Sequence, residues 1–262
     1  MSRSPDDAAP EPGATLPVPA GSATDTARRM RPKDAATLIV VDRSDAVPRV
    51  LMGRRRADLV FMPGKYVFPG GRVDASDKQL AASCALSEAE TAKLLLEMKG
   101  EPSPARATAL ALAAIRETFE EAGLVIGQGL TAPAEPRNDP WQGFFALGFA
   151  PRLDAVRFFA RAITPPGRSR RFDTRFFWAD AARIAHRTGS SDGELSGLHW
   201  LTAEEARAHD VATITRVILE DLLERLAHAD GIESDVAVPF YHQRNGSFRR
   251  DLLHAQPAPD RA

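Results

Sequence analysis

Residues 113–126 read AAIRETFEEAGLVI, and this stretch limits the fold more than any other in the chain. On a helix, at about 100° per residue, Glu117, Glu120 and Glu121 fall on one arc. Leu112, Ile115, Phe119 and Ala122 form the opposite, apolar face. Such a helix lays one face on a core and gathers three carboxylates away from it. Like charges at i,i+4 repel by a few tenths of a kcal/mol, and no base on that arc offsets all three. Mg2+ is typically held by a few carboxylates plus substrate phosphates. Three glutamates alone are more often a solvated acidic face. The order Arg-Glu-x-x-Glu-Glu-x-Gly followed by an aliphatic residue is far more specific.

Upstream, residues 66–77 read YVFPGGRVDASD: a short apolar strand, a Pro-Gly-Gly turn, then acidic residues. Between the two stretches, residues 78–107 read as a helical insertion. GEPSP (100–104) breaks it into two helices, of which the second runs from about Ala105 to Ala122 and stops at Gly123. Closing a longer loop costs little extra, so the chain can leave and return at neighbouring points. The two helices of the insertion are then expected at the rim of the site.

The rest of the chain alternates strands and helices, which predicts an α/β domain over 34–255. TLIVV (37–41), RVLMGRR (49–55), LVIG (124–127), RFFWA (175–179) and SGLHWL (196–201) read as strands. FFALGFAP and AVRFFARAIT are strands or short helices; their periodicity does not choose. Thr202 and Glu205 form a capping box, and the amphipathic helix 214–229 closes the domain. Residues 1–33 are rich in Pro, Ala, Gly, Ser, Thr and Asp and poor in large apolar side chains, which predicts a disordered tail; 256–262 form another.

The 262 residues carry a net charge of −1, which argues against non-specific nucleic-acid binding. The single cysteine, Cys84, excludes an internal disulfide and a Cys-based zinc site; a buried, inert thiol is expected there. The apolar runs fall far short of a membrane span, and the N-terminus lacks an apolar signal segment. A cytoplasmic protein without membrane association is expected. The insertion and the amphipathic helix each offer a surface for a homodimer.

The two halves together resemble the Nudix box, G-x5-E-x7-R-E-U-x-E-E-x-G-U, where U is aliphatic or aromatic. Gly71, Arg116, Glu117, Glu120, Glu121, Gly123 and Leu124 take the matching positions. Asp77 stands for the first Glu, and Thr118 stands at the first U. Asp77 and Arg116 lie 39 positions apart where the box has 8, so 31 extra residues split it. The resemblance implies a mixed β-sheet between helices. It implies hydrolysis of a nucleoside diphosphate linked to another moiety, with Mg2+ or Mn2+. By position it makes Glu117, Glu120 and Glu121 metal ligands, with the Gly71 carbonyl beside them, and Arg116 the residue that orients a box carboxylate. A loop glutamate six residues before a tryptophan serves many relatives as ligand or base. Here that spacing selects Glu194, with Asp192 a competitor, so Glu120, Glu121, Glu194 and Arg116 are the candidate catalytic residues.

FMPGKYVFPGG (61–71) resembles a long-insert branch of the family, typified by a coenzyme A diphosphatase. Against a related coenzyme A pattern, Leu51, Arg55, Gly64, Phe68, Pro69, Gly70 and Gly71 match; Gly53, Arg56 and Val60 do not. The resemblance implies coenzyme A or acyl-CoA as substrate. ADP-ribose or a dinucleotide, or non-catalytic nucleotide binding, are the alternatives. A basic stretch, GRSRRFDTRFF (167–177), carries Arg168, Arg170, Arg171 and Arg175, whose guanidinium forks suit phosphates. With Arg55 these are the candidate substrate contacts, and the stretch is a candidate for the 3′-phosphate of coenzyme A.

Overall fold

The structure, a computed structural model, describes residues 30–59, 62–189, 194–227 and 237–254. Its centre is β1 (Lys33–Asp42). Leu38, Ile39, Val40 and Val41 are all fully buried, so both faces of this β-branched run are covered. Along one edge, β1 pairs in parallel with β9 (Phe172–Asp180), from Lys33 opposite Phe172 to Val41 opposite Asp180. Its other edge is divided. β2 (Arg49–Arg55) takes one end antiparallel, with Val50 opposite Val41. β4 (Gly70–Arg72) takes the other end, with Gly71 opposite Ala36. The glycine turn thus sits where β2 leaves β1, and β3 (Tyr66–Val67) leads into it from the edge of β2. The mixed sheet runs β11 (Leu195–Thr202), β2, β1, β9, β8 (Arg157–Ile163), β12 (Val238–Arg244), β13 (Ser247–Leu253). Two ribbons pair β5 (Leu124–Val125) with β10 (His186–Arg187), and β6 (Gly127–Gly129) with β7 (Phe149–Pro151).

Helices cover both faces of the sheet. α3 (Pro104–Ala122) starts at Ser103, whose side chain accepts the Arg106 N–H, with Pro104 in the first turn. It ends at Gly123, whose φ of 64° is left-handed. Its apolar face, with Leu112 and Ile115 fully buried, packs on Leu38 and Val40. The other face of β1, Ile39 and Val41, packs on Ile218 and Leu222 of α6 (Thr213–Ala227). α4 (Gln142–Ala146) and α5 (Ala203–Ala208) are shorter, and the capping box of Thr202 and Glu205 opens α5. The undecided stretches resolve as α4 and β7, then β8. The amphipathic helix α6 does not close the domain, because the β12–β13 hairpin follows it.

The insertion departs from its expected form. α1 (Ala75–Leu80) begins before it, α2 (Glu88–Leu95) occupies its middle, and α3 starts inside it. Its start reaches the cavity of the site through Lys78, but its middle docks on the core. Leu86, Leu94 and Met98 are buried in the core, and the Glu90 carboxylate accepts the Phe158 N–H at 2.6 Å. Arg161 donates to the Glu97 carbonyl at 2.8 Å. Apolar side chains at positions 86, 94 and 98 have enough area to hold the excursion against the sheet. Cys84 is partly buried against the same core, and burial pushes its thiol pKa up. The tail reading for 1–33 lies outside the described residues up to 29 but runs too far: Lys33 already opens β1, opposite Phe172, and the Met30 carbonyl accepts from Arg171, so pairing to β9 orders the chain earlier than composition suggested. The reading for 256–262 lies outside the described residues.

Candidate active site

α3 presents its carboxylates to the β4 turn. Gly70 donates its N–H to Glu121 at 2.8 Å. Gly71 lies so close to Glu117 that any Cβ at this position would overlap the Glu117 carboxylate. At Gly71 the flexible Glu117 carboxylate would have to swing aside, whereas a Cβ at Gly70 would meet the Ala36 carbonyl and the Thr37 Cα, which cannot. Gly71→Ala is expected to displace Glu117 and cost about 1–3 kcal/mol of overpacking strain, together with most of the activity. Thermal melting and initial rates read both; an unchanged melt with an unchanged rate would show that the turn yields.

The acids are not a solvated face, contrary to the helix-surface reading. Glu121 is 4% exposed. Burial, followed by repulsion from Glu117 and Glu194 that the Gly70 N–H only partly offsets, pushes its pKa up to about 8. Burial likewise lifts Glu117 to about 7, against the opposing pull of Arg116. Glu120 is also raised by burial, and its side chain is 37% exposed. The cause is β4, which roofs the arc that the helix alone would leave open.

Arg116 organises the cluster. Its Nε and Nη2 donate to the two oxygens of Asp77 at 2.9 and 3.0 Å, and Nη2 also donates to the Arg72 carbonyl at 2.9 Å. Its Nη1 donates to Glu120 at 2.9 Å and lies 3.0 Å from Glu117. Burial opposes the charge of Arg116, but the Asp77 hydrogen bond and the surrounding carboxylates outweigh it and raise its pKa. Asp77 is fully buried. It accepts from Arg116, from the Asp74 N–H at 2.8 Å and from the Trp141 indole N–H at 3.0 Å. A shorter acid suits this position because Asp77 also closes a capping box with Asp74 at the start of α1. Thr118, at the first apolar position of the box, is fully buried and donates its hydroxyl to the Ala114 carbonyl at 2.8 Å. This bond satisfies its polar atom.

A cavity of about 1270 Å3 brings together Gly70, Gly71, Arg116, Glu117, Glu120, Glu121, Glu194, Arg55 and Arg168. Arg55 donates to Glu194 at 2.9 Å. The cavity reaches past Thr37 and Phe176 to the first turn of α6. Of the basic stretch, Arg168 and Arg170 line it. Arg171 does not: it donates to the Thr164 and Met30 carbonyls and lines a separate cavity. Arg175 is fully buried with Asp173, its Nη1 2.6 Å from that carboxylate, and burial lowers its pKa to about 10. Its Nε and Nη2 have no hydrogen-bond partner among the described residues. Arg175 is not a substrate contact, because the strand period turns its side chain into the protein. Asp192, Val60 and Phe61 lie outside the described residues.

Trp141 was not foreseen as part of the site. Its signal, an aromatic donor in the polar loop after β6, has meaning only once Asp77 is known to be buried beside it.

Among the described residues no three His, Cys, Asp or Glu side chains stand converged as a ready-made metal cage. Glu117 and Glu120 turn to Arg116, and Glu121 turns to Gly70. The donor chemistry nevertheless fits a hard divalent cation: all donors are oxygens, and the carboxylates are crowded and reluctant to ionise without a counter-charge.

No protein-family model matches the chain. In structure it is similar to a Nudix hydrolase from Alicyclobacillus acidocaldarius, with a TM-score of 0.60 over 87% of this chain and 100% of that one, at 24% identity. The chain has the Nudix fold. The mixed sheet between α3 and α6 and the helix carrying the split Nudix box are the parts of that fold that place the carboxylates. In sequence the chain is also similar to acyl-coenzyme A diphosphatase NUDT19 of Gallus gallus, 28% identical over 196 residues. That match covers 56% of this chain and spans about half, 52%, of the curated relative's length.

Proposed function

We propose that the protein is a Nudix diphosphatase that hydrolyses a nucleoside diphosphate derivative, with coenzyme A or an acyl-CoA as its substrate. The observation that carries this is the pressing of Glu117 and Glu121 against the Gly70–Gly71 turn, with Glu120 beside them on Arg116, inside one cavity that also holds Arg55 and Arg168. The coenzyme A assignment is supported by the 61–71 stretch and by the likeness to an acyl-coenzyme A diphosphatase.

Glu117, Glu120, Glu121 and the Gly71 carbonyl would hold Mg2+ or Mn2+, which when bound neutralises phosphoryl oxygens and acidifies water. Arg116 keeps the carboxylates in place through Asp77 and Glu120. Arg55 and Arg168 bind phosphoryl oxygens by charge-assisted hydrogen bonds. Water adds its oxygen to one phosphorus and the bridging P–O bond breaks. One water proton passes to a carboxylate drawn from Glu120, Glu121 and Glu194, and the other remains on the new phosphomonoester. The products are 3′,5′-ADP and (acyl-)phosphopantetheine.

A rate screen over coenzyme A, ADP-ribose, NADH and dinucleotide polyphosphates, with and without Mg2+ or Mn2+, tests the assignment. Cation-dependent cleavage fastest on coenzyme A or its esters is the expected result. Faster cleavage of ADP-ribose or a dinucleotide would replace the substrate. Tight binding with no cleavage of any would replace the enzyme by a nucleotide-binding module.

A further inference from the structure

The first turn of α6 opens on the same cavity, through Thr213, Ile214 and Thr215. Ala212 stands at the N-cap: its carbonyl accepts the Arg216 N–H at 2.9 Å, but its methyl side chain cannot accept from the turn that follows. The N–H groups of Thr213, Ile214 and Thr215 have no acceptor among the described residues. Helix starts normally satisfy these donors with Ser, Thr, Asp or Asn at the cap, as α1, α2, α3 and α5 do here. A second observation is independent of the helix end. Thr215 is 5% exposed, lines the cavity, and its hydroxyl has no partner among the described residues. The comparable buried Thr118 does bond its hydroxyl, to Ala114. Thr213 is exposed and Ile214 half-buried, and the Thr215 hydroxyl is not among the fully buried side-chain atoms that lack a partner, so these donors face the cavity, where an acceptor from solvent or a ligand can reach them.

We propose that the N-terminus of α6 is a second subsite of the cavity, binding a phosphomonoester of the nucleotide substrate apart from the diphosphate held at the carboxylates. The inference rests on the nucleotide reading above and deepens it. Three backbone N–H groups and the positive end of a 15-residue helix favour an oxyanion, and the Thr215 hydroxyl supplies a fourth donor. The carboxylates at the other part of the cavity repel the same group, so the two anionic parts of one ligand are sorted by field.

The test is calorimetric titration of the full chain, without divalent cation, with 3′-AMP, adenosine and inorganic phosphate. Thr215→Val is expected to weaken 3′-AMP and inorganic phosphate about tenfold while leaving adenosine unchanged. Thr215→Ser, which keeps the hydroxyl, stays near wild type. Should Thr215→Val not fold, Thr213→Pro, tolerated in the first helical turn, removes one N–H of the same set and carries the same expectation. Equal affinity of wild type and variant for 3′-AMP overturns the subsite, and so does a loss confined to inorganic phosphate. Failure of the diphosphatase reading shows elsewhere, as absence of turnover by wild type with cation, and leaves this binding result readable.

Discussion

Glu120→Gln is expected to fold as wild type does and to turn over substrate at less than a tenth of the wild-type rate. Gln keeps the shape, and its amide oxygen can still accept the Arg116 hydrogen bond that Glu120 accepts at 2.9 Å. What it loses is the charge. Glu120 is the most exposed of the three glutamates, its side chain 37% exposed against 15% for Glu117 and with Glu121 buried, so it reaches the cavity without supporting the core. Losing a ligand's charge at a divalent site should cost several kcal/mol of barrier, whereas a tenfold loss needs only about 1.4 kcal/mol. Initial rates with saturating Mg2+, beside a thermal melt, decide it. A variant that melts as wild type and keeps more than a tenth of the rate removes Glu120 from the ligand set.

Arg116→Met should instead unfold the protein more readily. Arg116 is 4% exposed and Asp77 is fully buried, so the substitution strands a buried carboxylate that retains only the Asp74 and Trp141 donors. Breaking one side of a buried pair costs about 3–5 kcal/mol. For a chain of this size that is a fall in Tm of roughly 10 °C. The double variant Arg116→Met with Asp77→Leu should recover part of the loss, because the fully buried Asp77 charge is gone and only the less buried Glu117 and Glu120 lose their partner. If the double variant is no more stable than Arg116→Met alone, the cost lies in lost packing and not in the stranded charge.

These two variants separate what a local pattern can specify from what it cannot. The carboxylate arc, the apolar stripe of Leu112 and Ile115, the stop at Gly123 and the Thr202–Glu205 capping box depend on residues a few positions apart. Helix geometry alone places them. The parallel pairing of β1 with β9 was not legible, because the apolar runs LIVV and FFWA are buried on both faces and carry no alternation to set an edge. The β12–β13 hairpin was legible at its turn, Asn245-Gly246 with both φ positive, although the preceding strand VPFYHQR has no clear period.

Arg171 and Arg175 show the limit within the site. Both sit in a basic run with Arg168, and composition treats the arginines of that run alike. The start of β9 divides them, turning Arg175 toward Asp173 in the interior and Arg171 toward the Thr164 and Met30 carbonyls. Arg168, outside the strand, remains at the cavity. The insertion behaves likewise: its length was plain, but its docking on β8 through Glu90 and Arg161 needed partners 68 and 64 positions away.

By itself, the sequence determined the chemistry this protein can offer: oxygen ligands in one arc, a glycine turn to meet them and arginines for phosphate. Helical spacing and residue type suffice for that. Only the tertiary structure decided that the arc is roofed by β4, that Asp77 and Trp141 hold Arg116, and that an uncapped helix end faces the same cavity. Burial and long-range pairing are properties of surfaces brought together, and no window of neighbouring residues contains them.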